Sequence, residues 1–442
     1  MQIQKSIKSQ IIYRRLSELT QHPHNARKHP PPQIRELAGS VKQFGFVVPV
    51  LIDRNGQIIA GHARAEAAKL LGMDEVPTIL LDNLTENQIR AFMLADNKLA
   101  EKAVWDQEIL AIELQHLAEI DEFDVRITGF DIGEIDSIVE ATRSLAAESE
   151  VVEINENAQP ITQPNDLWKL GRHRLLCGDA LQESSFAKLM AARRADLVFV
   201  DCPYNLRIDG NVCGKGSIHH REFAMASGEM SPAEFVAFLT TALRLLSRFS
   251  KSASVHFICM DWRHIGELLA AGNQIYSELL NLCVWVKNAG GMGSLYRSQH
   301  ELIFVFKNGK GRHRNNVMLG KYQRNRTNVW EYPGVNSLSR QGDEGNLLAL
   351  HPTCKPVNLV ADALLDCSAR GDIILDSFLG SGTTLIASER VGRVCYGMEL
   401  DARYVDVAIR RWQKHTGDRV IHAETGEPFD ERAAQMEASH GR

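Results

Sequence analysis

The sequence predicts an α/β fold with a mostly parallel sheet, preceded by a smaller α/β unit and a helical segment. Three observations carry that prediction. From Asp166 onward, apolar runs of strand length alternate with helical spacing, the pattern of parallel strands covered on both faces. One run, Ile373-Ile374-Leu375, enters a glycine-containing turn, a helix begins near Thr383, and a second strand, Val394 to Met398, ends at Glu399. Within the first 82 residues, two short buried runs flank an Arg54-Asn55-Gly56 turn.

In that first unit, residues 1–82, Ile34 to Phe44 has helical spacing, Val47 to Ile52 reads as a buried strand and Gln57 to Ala60 as its partner. Gly61-His62 opens a helix that Gly72 closes, and Val76 to Leu80 reads as a further strand. Residues 83–145 are helical throughout. Thr85-Glu86-Asn87-Gln88 has the residues of a capping box, and 131–145 is a further helix. Residues 146–165 carry Glu148, Glu150, Glu153 and Glu156 and then two prolines, the composition of a linker. The third unit spans 166–420. Its strands are expected at Leu197–Val200, Ser254–Cys259, Leu282–Val286, Leu302–Phe306, Ile373–Leu375 and Val394–Met398, with helices at 232–248 and 383–391. Residues 421–442 are charged and poor in large apolar groups, and are expected to form a mobile tail.

A chain of 442 residues is too long for one ordinary domain. Its net charge of -5 gives no whole-molecule attraction to nucleic acid, so such binding must use a local basic surface. The eight cysteines are scattered, with no C-x-x-C pair and no His/Cys cluster at zinc spacing, so no metal is expected and the thiols read as those of an intracellular protein. There is no apolar signal core and no run approaching the ~18 apolar residues of a membrane span. The expectation is a soluble, cytoplasmic, multidomain protein.

The strand–turn–helix–strand of 371–400 is what a nucleoside cofactor needs at the carboxyl edge of a parallel sheet, a Rossmann-like arrangement. Gly380 and Gly382 allow a tight turn and close backbone approach. Ser381 and Thr383 complete the loop, and Glu399 stands where an acidic side chain can accept both ribose hydroxyl protons. The loop lacks the lysine of a phosphate-binding P-loop and the G-x-G-x-x-G spacing of a dinucleotide site. An uncharged loop suits S-adenosylmethionine, a nucleoside without phosphates.

Asp201-Cys202-Pro203-Tyr204 ends the apolar run Leu197 to Val200. Methyl transfer to an exocyclic amino nitrogen is opposed by delocalisation of its lone pair into the ring. Two acceptors on the amino hydrogens draw the nitrogen toward tetrahedral geometry, which is electrostatic stabilisation of the transition state. The Asp201 carboxylate and the Cys202 carbonyl are candidates for that pair. Pro203 stiffens the turn, and Tyr204 offers a face on which a base can stack.

Taken together, the two motifs resemble the DNA adenine/cytosine amino-methyltransferases of the β arrangement, in which the tetrapeptide precedes the cofactor loop. The family usually reads Asp-Pro-Pro-Tyr, and here Cys202 stands second. Leu175 to Ala180, His351-Pro352-Thr353-Cys354-Lys355-Pro356 and Gly397 to Asp401 also match, so the resemblance spans about 166–415. It implies that Asp179 lies near the cofactor adenine and that Lys355 and Pro356 line the methionine end. It also implies that Asp376 contacts the amino-acid portion and Phe378 the adenine. Aspartate at the first tetrapeptide position favours adenine over cytosine as the target. Reaching either amino group in double-stranded DNA requires flipping the base.

Residues 307–326 contain Lys307, Lys310, Arg312, Arg314, Lys321, Arg324 and Arg326 and no acidic residue, a stretch able to neutralise phosphates. Residues 205–228, with His219, His220 and Arg221, are a second candidate for closing over the base. At the N-terminus, Gly45-Phe46-Val47-Val48-Pro49-Val50 followed by Gly61-His62-Ala63-Arg64 resembles the ParB/sulfiredoxin-like fold. Of the arginine pair that in that family binds phosphates, only Arg64 remains. No cysteine lies in 1–150, which excludes sulfiredoxin chemistry and points to an accessory DNA-binding or assembly module. The resulting expectation is a site-specific DNA methyltransferase acting on adenine. The rivals are a cytosine amino-methyltransferase, a ParB-like regulator with a degenerate methylase domain, and a methyltransferase for RNA or a small molecule. A homodimer and a partner restriction endonuclease are left open.

Overall fold

The computed structural model describes residues 10–103, 105–119, 124–143, 159–205, 228–288, 290, 295–317, 326–332 and 355–440. It divides into two compact units, Met1–Thr142 and Arg143–Arg442, each containing one sheet.

In the first unit, strands β1 (Ile11–Arg15), β2 (Thr20–Gln21), β3 (Val50–Ile52), β4 (Gln57–Ala60) and β5 (Glu75–Leu80) lie in the order β1-β5-β3-β4-β2. The strand expected from Val47 begins only at Val50, after Pro49, which has no amide to pair; Val47 and Val48 are exposed instead. Helix His62–Leu70 packs Ala65 and Ala68 on the sheet's core of Leu16, Val50, Ile52, Ile58 and Val76, and helix Pro31–Phe44 packs on that helix. Three helices follow, Glu86–Ala100, Gln107–Glu119 and Ile132–Arg143. The first has its capping box: Gln88 N–H donates to Thr85 Oγ1 at 3.4 Å, and Thr85 N–H donates to Gln88 Oε1 at 2.9 Å.

The second unit is organised on ten strands, β6 (Leu167–Leu170), β7 (His173–Cys177), β8 (Ala195–Asp201), β9 (Ser250–Met260), β10 (Glu278–Val286), β11 (His300–Lys307), β12 (Val329–Glu331), β13 (Ile373–Asp376), β14 (Val394–Glu399) and β15 (Val420–His422). Their order is β12-β10-β11-β9-β8-β13-β14-β7-β6-β15. The five central strands, β9-β8-β13-β14-β7, are parallel, and antiparallel pairs extend the sheet on both flanks. β8 is buried on both faces, as a central parallel strand must be. Leu197 and Phe199 join one core with Trp168, Leu364, Leu385 and Trp412, while Val198 and Val200 join the other with Phe235, Leu243, Leu375 and Met398. Helix Pro232–Arg248 begins at a Ser231–Glu234 capping box with proline at its first position, and its buried stripe of Phe235, Leu239, Leu243 and Leu246 has the 3.6-residue period.

The chain end departs from expectation. Far from being a mobile tail, 420–440 adds β15 antiparallel to β6 and then the helix Phe429–His440. One aromatic anchor explains this: Phe429 is 1% exposed and packs edge-on against Trp168 at 5.3 Å. Arg432 lies over the same indole and pairs with Asp166 at 2.8 Å. The end of the expected linker is likewise fixed. Ile161 and Thr162 donate their amides to the Asp406 carboxylate at 2.7 and 3.0 Å, and the linker residues 146–158 lie outside the described residues.

Candidate active site

The strand order places the site. From β8 the chain passes through helix Pro232–Arg248 to β9 on one side, and from β13 through helix Thr383–Arg390 to β14 on the other. β8 and β13 are neighbours, with Ile374 beside Leu197 and Leu375 beside Val198. The sheet therefore switches direction between them, and a crevice opens at their carboxyl ends, where Asp201 and Asp376 sit.

On the β8 side, side-chain charges dominate. Asp201 Oδ1 accepts from Tyr204 OH at 2.6 Å, and Oδ2 accepts from Lys355 Nζ at 2.6 Å. Lys355 is 5% exposed and also lies 2.9 Å from Glu301 Oε2 and 3.1 Å from Tyr204 OH. Glu301, at the start of β11, takes Lys287 Nζ on its other oxygen at 2.5 Å. Two ammonium groups thus alternate with two carboxylates. Burial pushes the Asp201 carboxyl up; Lys355 opposes that shift and Glu301 adds to it. Burial acts on Glu301 in the same direction, but Lys355 and Lys287 together hold it down at about 2. Burial works against the charge on Lys355, yet Asp201 and Glu301 raise it above its usual range. Cys202 is buried with its thiol pushed up by burial, Pro203 is half-buried, and one face of the Tyr204 ring carries Lys355 Nζ 5.4 Å from its centre. The resemblance implied that Lys355 lines the methionine end; its ammonium rests on Asp201.

On the β13 side, backbone groups dominate. Gly380 N–H donates to Glu399 Oε2 at 2.9 Å and Asp401 N–H to Oε1 at 2.9 Å, so the loop fixes the carboxylate without a cationic side chain. Phe378 N–H donates to Asp376 Oδ1 at 3.0 Å, and burial pushes the Asp376 carboxyl up to about 7. Gly382 has φ +90°, and a Cβ there would lie 2.9 Å from that of Ala408, so only glycine lets the loop pack on helix Ala402–Thr416. Arg411 donates to the Ser381 carbonyl at 2.8 Å, and Thr383 opens the following helix. Asp179 caps its own turn by accepting from Leu181 N–H at 2.8 Å. Pro356 is buried at the start of helix Val357–Cys367. Ser377 Oγ, buried in this loop, has no hydrogen-bond partner among the described residues. The loop 376–384 carries no lysine or arginine to neutralise phosphates, so this neutral glycine turn suits an uncharged nucleoside better than a triphosphate.

The described part of the basic stretch lies away from Asp201. Lys307 pairs in register with Val255, midway along β9, whereas Asp201 pairs with Cys259 near its end. Lys310 O accepts from Ser252 Oγ, and Arg314 lies 3.8 Å from Asp372, the residue before β13. Lys310, Arg312 and Arg314 therefore lie toward the amino end of the sheet, opposite Asp201, with Lys307 partway along it. Seven residues of β8 separate the two ends, roughly 20 Å at ~3.3 Å per residue. Arg326 is turned inward and bound to Asp366 at 2.8 Å and Asp362 at 3.1 Å. Lys321, Arg324 and the histidines His219 and His220 with Arg221 lie outside the described residues. At the carboxyl end, by contrast, Trp262 after β9 and Leu295 and Tyr296 between β10 and β11 are exposed.

Sequence reasoning missed Glu301, Lys287 and Asn205. The first two are single charges at the mouth of apolar strands, meaningful only once β10 and β11 lie beside β9. Asn205 accepts from Gly228 N–H at 3.1 Å and Met230 N–H at 3.2 Å and donates to Met230 O at 2.8 Å, joining the two ends of the segment 206–227.

The DNA methylase family model matches residues 195–410, the span that contains both Asp201 and Glu399. The ParB N-terminal domain model matches 1–98 and the ParB-methyltransferase HTH domain model matches 108–164. The chain joins a ParB-type domain to a DNA methylase domain. Its enzymatic unit is a DNA methyltransferase of the N6/N4 amino type. The ParB-type domain is similar to the ParB-like nuclease domain-containing protein YnaK of Escherichia coli (strain K12), 53% identical over 83 residues, 19% of this chain and 95% of that protein. The methylase domain is similar to the type II methyltransferase M.HinfI of Haemophilus influenzae, 26% identical over 250 residues, 54% of this chain and 67% of the relative. The PvuII DNA methyltransferase (cytosine-N4-specific) superposes with a TM-score of 0.42 at 14% identity, covering 63% of this chain and 94% of that one. In the ParB-type domain, Arg64 folds back over Gly61 and donates to the Pro49 carbonyl at 3.4 Å. His62 is buried, and burial with the nearby His29 and His22 lowers it to about 4.

Proposed function

We propose that the methylase domain transfers a methyl group from S-adenosylmethionine to the exocyclic amino group of adenine in double-stranded DNA. The observation that carries this reading is the position of Asp201 at the switch point, beside the neutral glycine loop and Glu399. The cofactor supplies a methyl group already activated on sulfur, so no covalent enzyme intermediate is needed. Glu399 is assigned to the ribose hydroxyls: each of its oxygens accepts one amide and keeps a second lone pair. Asp376, Ser377 and Phe378 are assigned to the remainder of the cofactor.

The Asp201 carboxylate accepts one hydrogen of the target amino group, and the Cys202 carbonyl accepts the other. Each Asp201 oxygen holds one partner and has acceptor capacity left. Drawing both amino hydrogens out of the ring plane localises the nitrogen lone pair toward the methyl donor and stabilises the positive charge that develops. The Tyr204 hydroxyl fixes the carboxylate, and its ring gives the flipped base a stacking surface. DNA is assigned to the carboxyl end of the sheet, where Trp262 and Tyr296 are exposed, and the ParB-type domain to an accessory role in holding it.

Nucleoside mass spectrometry of duplex DNA incubated with the full chain and S-adenosylmethionine tests the reading. N6-methyladenine is expected. N4-methylcytosine alone would transfer the mechanism to the other base, and no methylated nucleoside would refute it.

A further inference from the structure

Asp201 must accept an amino hydrogen, yet it already holds a buried ammonium at 2.6 Å. A carboxylate locked in a private ion pair is a poor acceptor for a second, neutral donor. The pair here is not private. Lys355 Nζ lies 2.9 Å from Glu301 Oε2, so the ammonium is shared between two carboxylates with no travel needed to favour either. Glu301 is in turn held in place by Lys287 on its far oxygen.

We infer that Glu301 is a positioning residue for methyl transfer: it draws Lys355 partly away from Asp201, so that the catalytic carboxylate, whose charge Lys355 favours, remains open to the target amino group. The inference rests on the reading of Asp201 as the amino acceptor. Lys355 supplies the charge that favours the ionised form of the half-buried Asp201, and Glu301 limits how tightly Lys355 grips it. Lys287 keeps Glu301 from being pulled wholly onto Lys355.

Several groups face this cluster. Tyr204 and Cys202 come from the end of β8, Cys259 from β9, Lys287 from beyond β10 and Asp376 from β13. Burial holds the Tyr204 and Cys259 protons far above their ordinary range, and Cys202 likewise, so these stay neutral across the working range. The acid limb of the rate profile then reports Asp201. Its like-charged neighbour Glu301 raises it and Lys355 lowers it. The two substitutions Glu301→Gln and Lys355→Met should therefore move that limb in opposite directions.

The test is the pH dependence of single-turnover methyl transfer by the full-length protein on duplex DNA, with cofactor affinity measured by calorimetry in parallel. Glu301→Gln should lower the transfer rate about tenfold and shift the acid limb downward, while Glu301→Asp restores most of the rate. Lys355→Met should shift the limb upward by about one pH unit or more. Unchanged cofactor affinity and thermal midpoint in Glu301→Gln separate this role from a structural one. A Glu301→Gln limb that stays in place, or moves in the same direction as that of Lys355→Met, overturns the inference. Asp201→Asn serves as the reference: activity retained there would refute the underlying reading of Asp201, whereas activity lost there with an unmoved Glu301→Gln limb would refute the inference alone.

Discussion

Asp201 and Glu399 are both half-buried carboxylates at the carboxyl end of one sheet, two strands apart, and they are held in opposite ways. Asp201 is gripped by side chains, a lysine at 2.6 Å and a tyrosine hydroxyl at 2.6 Å, within a chain of four charges of which Lys355 is buried and the others half-buried. Glu399 is held by two backbone amides of the loops it bridges. A backbone clamp adds no titrating partner and fixes a group in one place, which suits binding. A charge network responds to every partner that enters it, which suits a group that must meet new charge in the transition state.

The largest effect is expected at Asp201. Asp201→Ala should reduce methyl transfer by about 10³-fold or more in a single-turnover assay, the scale of losing a preorganised transition-state contact. Substantial residual turnover would place the amino acceptor elsewhere. Glu399→Ala should instead raise the cofactor dissociation constant by about 10- to 100-fold, the scale of hydrogen bonds to a charged group, and leave saturated turnover less affected. Equal losses in both parameters would erase the distinction between the two carboxylates.

Asp376 lies between them and sharpens the contrast. Its carboxyl is raised to about 7 by burial, so the folded state binds its proton more tightly than the unfolded chain does. Stability contributed by this proton is present below about pH 4 and is lost as pH rises toward 7. Without cofactor, Asp376→Asn should therefore gain stability relative to wild type across that window, on the order of a few kcal/mol by pH 7, as read by urea denaturation. A difference that stays flat with pH would show that Asp376 is not held neutral. The smallest effect is expected at the amino end of the sheet. Joint replacement of Lys310 and Arg312 by alanine should change KM for duplex DNA by less than about twofold and leave its salt dependence unaltered. A shallower salt slope would return DNA to that edge.

The parts of this molecule that were legible in the sequence are those encoded locally. β8, β13 and β14 are runs whose neighbours in sequence state their burial, and the turn after β13 declares itself through Gly380 and Gly382. Helix Pro232–Arg248 is marked by its own cap residues, Ser231 and Glu234. What failed to show was whatever depends on strand order. Lys307 to Arg314 look well placed between the tetrapeptide and the cofactor loop along the chain, yet β11 runs antiparallel to β9 and carries them to the far end. The same reversal brings Glu301 to Asp201, a meeting of residues a hundred positions apart that no spacing announces. The chain end misled for a different reason: its composition is that of a solvated tail, but one buried phenylalanine, Phe429, is enough to dock it on Trp168.

The division of labour between the two carboxylates is tested most directly by calorimetric titration of S-adenosylmethionine into the Asp201→Ala protein. An affinity equal to that of the wild type, in a protein that no longer methylates DNA, is the predicted result. A cofactor affinity that falls together with activity would contradict it, because Asp201 would then belong to the binding half of the crevice.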